Sequence, residues 1–528
     1  MTTGARPLAG TGALLGLALR RDRAMLPLWA GLLSLTVVSG AGTVGSLYAT
    51  AAERADLVRS LAVNGSLRAM LGPAFGDSLG ALVSWRFGVF AALAAAALSL
   101  ILVVRHTREE EESGRQEMLS SAMVGRRAPL TAALLTALIA NTALTGAITA
   151  GLAGPTGSAT GALALGLAVG LTGMAFAGLA AIAAQLTESA RAAKGLTAAA
   201  LGLAYALRAA GDSATADGSA VPTRLSPLGW AEQIRPYAGE RWQFAALLAL
   251  AALAQIAVAY ALTGRRDIGM SFLPSRPGPA AGRIAGPTGL AWRLQRGALL
   301  GWSAAFLAGG IAFGSLASGV ATLVGENEST REIFERMGGQ SGLTDAFLAS
   351  MTGLFGLVAA VYATSSVLRA HSEETGGRAE PVLAGPVGRA HWAAGHLALA
   401  LGGSALILAA AGLGMALGHG TAPGPLLGAA LSQLPAVWLL GGLAMALYGV
   451  LPRAVMAAWA AVGLTLAIGW IGPALRLPDA LLELSPFGRL AKLPGNPMEW
   501  RPALLLTALA AALVAVGLAG LRRRDLRN

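Results

Sequence analysis

Apolar positions along this chain fall into blocks of about twenty residues, the length at which a helix crosses about 30 Å of hydrocarbon. The first six predicted spans lie at residues 25–49, 84–104, 129–152, 161–185, 196–208 (extended a few residues each way) and 243–263. The second six lie at residues 298–320, 346–368, 391–417, 425–450, 454–475 and 501–521. Four longer polar segments, residues 50–83, 211–242, 321–345 and 476–500, then fall on the outer side. The first and third carry apolar residues at helical spacing: Leu57, Leu61, Leu67 and Leu71, then Ile333, Phe334 and Met337. That spacing predicts short amphipathic helices lying at the interface, or a lid over a cavity. Residues 271–289, with Pro274, Pro277, Pro279 and Pro287, have no apolar period and read as a cytoplasmic linker. The predicted fold is an all-α integral membrane protein of about twelve transmembrane helices.

Composition removes the soluble alternative. Of 528 residues, 55% are hydrophobic and 12% charged, against about 25% charged in soluble domains. The net charge of +12 would suit a nucleic acid, but the arginines cluster between apolar blocks, as at Arg20, Arg21 and Arg23 and at Arg522, Arg523 and Arg524. That is the distribution of cytoplasmic loops, so no nucleic-acid partner is expected. An even span count with arginine-rich ends predicts both termini in the cytoplasm, in a bacterial inner membrane. The first apolar block is too long for a signal-peptide core and lacks a cleavage site. Without cysteine there is no disulfide, thiolate metal site or thiol catalysis, and no metal site is expected.

The second half of the chain repeats the first. Leu17, Ala18, Arg20, Arg23, Leu26 and Trp29 recur in the same spacing as Leu290, Ala291, Arg293, Arg296, Leu299 and Trp302. After each second span comes Glu-Glu-x-x-Gly-Arg-x-Glu ending in Val-Gly-Arg. The first copy is Glu110, Glu111, Gly114, Arg115, Glu117, Val124, Gly125 and Arg126. The second is Glu373, Glu374, Gly377, Arg378, Glu380, Val387, Gly388 and Arg389. Leu-Ser-Pro-x-Gly precedes each sixth span, at 225–229 and 484–488, and each half ends in Arg-Arg-Asp, at 265–267 and 523–525. The halves, 1–270 and 290–528 around the linker, are therefore expected to be parallel six-helix pseudo-repeats with a shared path between them.

Energy supply narrows the function. None of the predicted spans contains Asp or Glu, the groups on which ion-coupled carriers rely. Arg86, Arg208 and Arg501 stand at span ends, where snorkelling is the expected behaviour. His391 and His396 are five apart, a poor spacing for one helical face, and are assigned structural roles. A phosphate-binding loop needs Gly-Lys-Ser/Thr, yet Lys194 and Lys492, the two lysines, are followed by Gly195 and Leu493. The chain is therefore expected to bind no cofactor and to hydrolyse no ATP itself.

At the acidic loops the sequence resembles a known family. The run from Arg108 through Glu109, Glu110, Glu111, Glu112, Ser113, Gly114, Arg115, Gln116, Glu117, Met118 and Leu119, with Val124, Gly125 and Arg126 after it, is similar to the first cytoplasmic loop of ABC-2 type permeases. The whole duplicated chain, including Trp85-Arg86-Phe87-Gly88 and Leu225-Ser226-Pro227-Leu228-Gly229-Trp230, resembles the twelve-span actinobacterial permeases of the polyketide-antibiotic, tetronasin-resistance kind. The second copy departs at Pro381-Val382-Leu383, where the first has Met118-Leu119-Ser120. The resemblance implies an ABC-2, type V exporter-like fold. It implies two ATP-binding cassette subunits as partners, carrying ATP and Mg²⁺, with the two acidic loops as coupling helices. It also implies export of hydrophobic or amphiphilic small molecules, antibiotics or other drugs, out of the cell, with the lipid bilayer as the chain's other partner. Candidate coupling residues are Glu110, Glu111, Gly114, Arg115 and Glu117, with Glu373, Glu374, Gly377, Arg378 and Glu380. Phe87, Phe90, Met351, Phe355 and Tyr362 are candidates for a substrate cavity, since an amphiphile needs apolar and aromatic walls. The rivals are a proton-driven twelve-helix carrier, for which Gly125-Arg126-Arg127 is a partial motif, a membrane-embedded transferase, and a sensor without catalysis.

Overall fold

The computed structural model describes residues 7–120, 124–266, 270–273, 282, 286–324, 342–471, 478–482 and 484–524. The third outer segment with Ile333, Phe334 and Met337, most of the linker, Asp267 and Asp525 lie outside the described residues. Among those described, the fold is all-helical, and ten helices are long and apolar enough to cross a membrane. The chain divides into two compact units, Met1–Gly278 and Pro279–Asn528.

The first unit opens with the amphipathic α1 (Thr11–Arg21) and the long apolar α2 (Met25–Leu47). The outer segment then folds as α3 (Ala51–Val63) and α4 (Gly65–Leu71), started by Thr50 in a capping box with Glu53 and by the Asn64 side chain. Leu61 and Leu71 are buried, so the apolar stripe read from the sequence faces protein. After α5 (Leu79–Arg105) come two short helices, α6 (Arg108–Glu112) and α7 (Arg115–Ser120). Gly114 between them has φ 70°, a conformation that glycine adopts without a Cβ penalty.

Helices α8 (Ala128–Thr156) and α9 (Ala159–Leu186) cross closely. A Cβ on Gly170 or Gly173 would collide with the Thr145 hydroxyl or the Asn141 amide. Without a hydrophobic drive between helices in lipid, such small-residue seams and side-chain hydrogen bonds supply the packing; Asn141 Nδ2 donates to Ser99 Oγ at 2.8 Å. α10 (Ala190–Ala214), α11 (Val221–Arg224), α12 (Pro227–Gln233) and α13 (Trp242–Thr263) complete the unit.

The second unit begins with one continuous helix, α14 (Gly286–Val324), where the first has α1, a break and α2. The seventh span thus starts twelve residues before the predicted 298. It continues with α15 (Leu343–Thr375), α16 (Glu380–Leu383), α17 (Arg389–His419), α18 (Pro423–Leu431), α19 (Leu434–Val450), α20 (Met456–Leu466) and α21 (Trp500–Arg523). The predicted tenth span is broken at Ser432 and Gln433, because Pro435 at the start of α19 cannot donate into the preceding turn. A Cβ on Gly449 would collide with the Gly517 carbonyl, so α19 and α21 touch backbone to backbone.

Two predicted spans depart from the ten. The eleventh is the eleven-residue α20, running into a π-helical turn to Ile471. The fifth, α10, is longer than predicted, and its extension carries Asp212, which is fully buried. Asp212 lies beyond the predicted residues 196–208, on a helix that is not among the ten. A hydropathy window discounts a charged turn whose partners lie elsewhere in the chain.

Candidate functional site: the acidic loops and their anchors

In each unit, three of the repeated markers meet at one point. Glu111 receives a bidentate pair from Arg266, Nη1 at 2.9 Å and Nη2 at 2.5 Å, and is also paired with Arg108. Glu374 receives the same fork from Arg524, at 2.8 and 2.7 Å, and Tyr448 donates its hydroxyl at 2.6 Å. Arg126 and Arg389, the arginines of the two Val-Gly-Arg markers, donate to the carbonyls of Arg266 and Arg524. The second Glu of each loop is therefore clamped by the Arg-Arg-Asp marker at the end of its own half. Bidentate guanidinium–carboxylate bonds are among the stronger ones available, and here they close each unit from its last helix to the loop after its second span.

The first Glu of each pair holds an exposed arginine, although Glu373 is itself as buried as Glu374. Glu110 accepts from Arg115 Nε at 2.7 Å and Nη2 at 3.0 Å and is paired with Arg21. Glu373 accepts from Arg378 Nε at 2.7 Å and pairs with Arg369 at 2.7 Å. Arg115 and Arg378 keep 46% and 56% of their side-chain surface; Glu117 and Glu380 are exposed. Gly377, like Gly114, takes a positive φ, 69°, before the short helix that follows. In the first unit the rest of the acidic run is also engaged. Glu109 pairs with Lys194, and Glu112 accepts from the Ala190 backbone N–H at 2.9 Å, at the start of α10. These loops are thus not solvated charge runs; the inner carboxylates are internal ties, and an exposed rim lies beside them.

Several functional-looking groups escaped the sequence reading. Asp22, fully buried in the break between α1 and α2, bonds Arg105 at 2.6 Å and His106 Nε2 at 2.5 Å. Its counterpart in the repeat is Gln295, which accepts from Ser366 Oγ at 2.5 Å and bonds His396 Nδ1 at 2.9 Å. His396 is therefore a buried packing group, while His391 is exposed. Position six of the repeated motif that begins Leu-Ala-x-Arg was the available signal: a polar residue in both copies.

Arg208 does not snorkel, which corrects the expectation from its place at a span end. Its side chain is fully buried; Nη1 bonds Glu232 at 2.6 Å and lies 3.4 Å from Asp212, and Nη2 donates to the carbonyls of Ala69 and Met70. Arg68 donates to the carbonyls of Asp212 and Ser213, and Thr223 to Asp212 Oδ1. Glu232 Oε2 and Asp212 Oδ2 are buried without a hydrogen-bond partner. Burial pushes the Glu232 carboxyl well above the usual carboxylate range; the Asp212 carboxylate adds to the rise and Arg208 opposes it.

The proposed substrate-cavity residues are scattered. Phe87 packs against Gly40 of α2, and Phe90 is 45% exposed. Met351, Phe355 and Tyr362 are buried in the second unit. There Phe355 stacks on Phe306 at 5.2 Å, and Tyr362 donates to the Leu399 carbonyl at 3.1 Å. None of the five lines either of two larger cavities, one of about 770 Å³ in the first unit and one of about 630 Å³ in the second. Side chains chosen for their apolar character are also the ones that fill a helix bundle, so character alone did not separate the two roles.

Comparison with known proteins gives two agreeing results. The family model described as "Multidrug efflux system permease Rv1217c, C-terminal domain" matches residues 12–266 and residues 284–522. The multidrug efflux system permease protein Rv1217c of Mycobacterium tuberculosis strain H37Rv is 43% identical over 530 residues, covering 98% of this chain and 95% of that protein.

Proposed function

Because the chain belongs to the Rv1217c family of multidrug efflux system permeases, we propose that it is the membrane subunit of an ATP-binding cassette exporter. In this reading two separate cassette subunits hold ATP and Mg²⁺, one against each acidic loop. The chain, an ABC-2 permease of the duplicated actinobacterial kind, carries hydrophobic or amphiphilic compounds out of a bacterial cell. Both termini and both loops then lie in the cytoplasm.

The observation that supports this best is the twofold occurrence of the same node. Two loops with the same inner latch, the same Glu–Arg pair at i and i+5 and the same glycine turn suit a pair of like partners. Since Glu111 and Glu374 are spent inside the fold, the partner surface falls to Arg115, Glu117, Arg378 and Glu380. Replacing Glu117 and Glu380 together by alanine, with a stand-alone cassette ATPase co-expressed, is expected to weaken the complex and reduce substrate-stimulated ATPase. Normal assembly and normal stimulation with a stably inserted protein would refute the docking.

A second reading, a proton-coupled carrier, draws on the buried Asp212–Glu232 pair, since a buried carboxyl whose hold on its proton is strengthened is what proton coupling uses. In proteoliposomes it expects uptake driven by a pH gradient and lost in Glu232→Gln. Transport that needs ATP plus the partner and ignores the gradient would exclude it.

A further inference from the structure

The cavity of about 770 Å³ in the first unit lies where α1, the acidic loop and the start of α8 meet. Its volume falls within the range of about 300–1,000 Å³ that small-molecule pockets occupy. One wall is apolar, formed by Leu14, Leu17 and Ala18 of α1 with Val124, Pro129 and Ala132. Arg21 and Arg115 meet there at the single carboxylate of Glu110, and Arg126, tied to the Arg266 carbonyl, also reaches the lining. His106 also reaches the lining, but its ring is bonded to Asp22, whose charge Arg105 balances from behind. The two guanidiniums on Glu110 share one carboxylate, which leaves one positive charge in excess in an otherwise apolar chamber.

From this polarity we propose that the cavity binds one amphiphile with an anionic headgroup, phosphate or carboxylate. The tail lies along Leu14, Leu17, Pro129 and Ala132. The headgroup sits among the guanidiniums, whose planar forks match both anions. Arg21 and Arg115 already share Glu110, so an arriving anion competes for those forks and loosens Glu110 from them. Occupancy of the chamber is thereby read by the acidic loop. The site belongs to the first half alone. In the second, Leu294 stands where Arg21 stands in the first, and α14 runs unbroken through the stretch that frees α1 to form a wall.

The test uses the full chain in phosphatidylcholine nanodiscs without any ATPase, so its outcome is independent of the exporter reading. Dodecyl phosphate and the zwitterion dodecyl phosphocholine are compared by native mass spectrometry and equilibrium dialysis. One dodecyl phosphate per chain is expected, bound at least about five-fold more tightly than the zwitterion. Leu17→Glu and Arg115→Glu each place a negative charge in the chamber from an exposed position and are expected to weaken it at least about five-fold. Arg20→Gln, on the same helix but outside the lining, leaves binding unchanged. Adding phosphatidylglycerol separates the sources: competition identifies a leaflet lipid as the occupant, and failure to compete identifies a free amphiphile. Equal binding of anion and zwitterion, or full binding by both charge variants with helicity and mass intact, overturns the proposal.

Discussion

Alanine at Glu374, at Arg524 and at both defines a cycle that measures the latch of the second unit. Three hydrogen bonds converge on the carboxylate, two from Arg524 at 2.8 and 2.7 Å and one from Tyr448 at 2.6 Å. Removing one member of a buried pair costs about 3–5 kcal/mol, most of it the penalty on the charge left behind. The side chains keep 5% and 14% of their surface, and the Arg524 guanidinium regains water more readily than a sealed one. Either single change is therefore expected to cost about 2–3 kcal/mol. The double variant leaves no uncompensated charge and should cost little more than one single, which puts the coupling at about 2 kcal/mol.

Reversible unfolding in mixed micelles, followed by helicity and tryptophan fluorescence, supplies the four free energies. The same cycle at Glu111 and Arg266, both 6% exposed, should give a coupling of the same sign but smaller, about 1–2 kcal/mol, because Glu111 keeps Arg108 when Arg266 is removed. Coupling below about 0.5 kcal/mol in both cycles, with the fold retained, would refute the latch. If stability were untouched while partner assembly failed, the inner carboxylates would belong to the docking surface after all.

Other expectations are cheaper to check. Arg524→Lys keeps the charge but loses the fork, so it should fall between wild type and Arg524→Ala in the same unfolding assay. The folded Glu232 carboxyl titrates above its unfolded value, so the native state holds the extra proton. Its contribution to stability is full below about pH 4.5 and is lost as pH rises through the folded value; melting of Glu232→Gln against pH should be flatter than wild type. Arg208→Ala leaves Asp212 and Glu232 buried without their cation and should destabilise the first unit by about 3–5 kcal/mol, seen as a lower melting temperature. Gly449→Val drives a side chain into the Gly517 carbonyl and should abolish stable insertion, read by yield and monodispersity in detergent.

What was legible in the sequence depends on where the partners lie. Apolar block length placed nearly every long helix, because covering hydrocarbon is a local property of about twenty residues. The loop motifs were legible because each is contiguous and occurs twice. Their purpose was not: Glu111 and Arg266 are 155 residues apart and Glu374 and Arg524 are 150 apart. No local pattern announces a contact at that range, and exposure was assumed for charges that are buried. Arg208 is the clearer case. A guanidinium near a span end is normally free to reach water, but here Glu232, on a short helix after the span, comes back to meet it. The aromatic candidates rest on character alone, and nothing local distinguishes a wall from a core.

The two copies of the repeat divide these residues by what each unit needs. Both keep the inner Glu, its closing Arg, the Val-Gly-Arg arginine and the glycine turn, which are the parts that tie each unit shut. They differ at Asp22 and Gln295, at Arg21 and Leu294, and at His106 and Arg369. Arg21 and His106 line the chamber of the first unit, and Asp22 holds His106 in place. These differences set Arg21, Asp22 and His106 of the first unit apart from the node that the two halves have in common, so the latch belongs to both copies and the polar lining of the chamber to one.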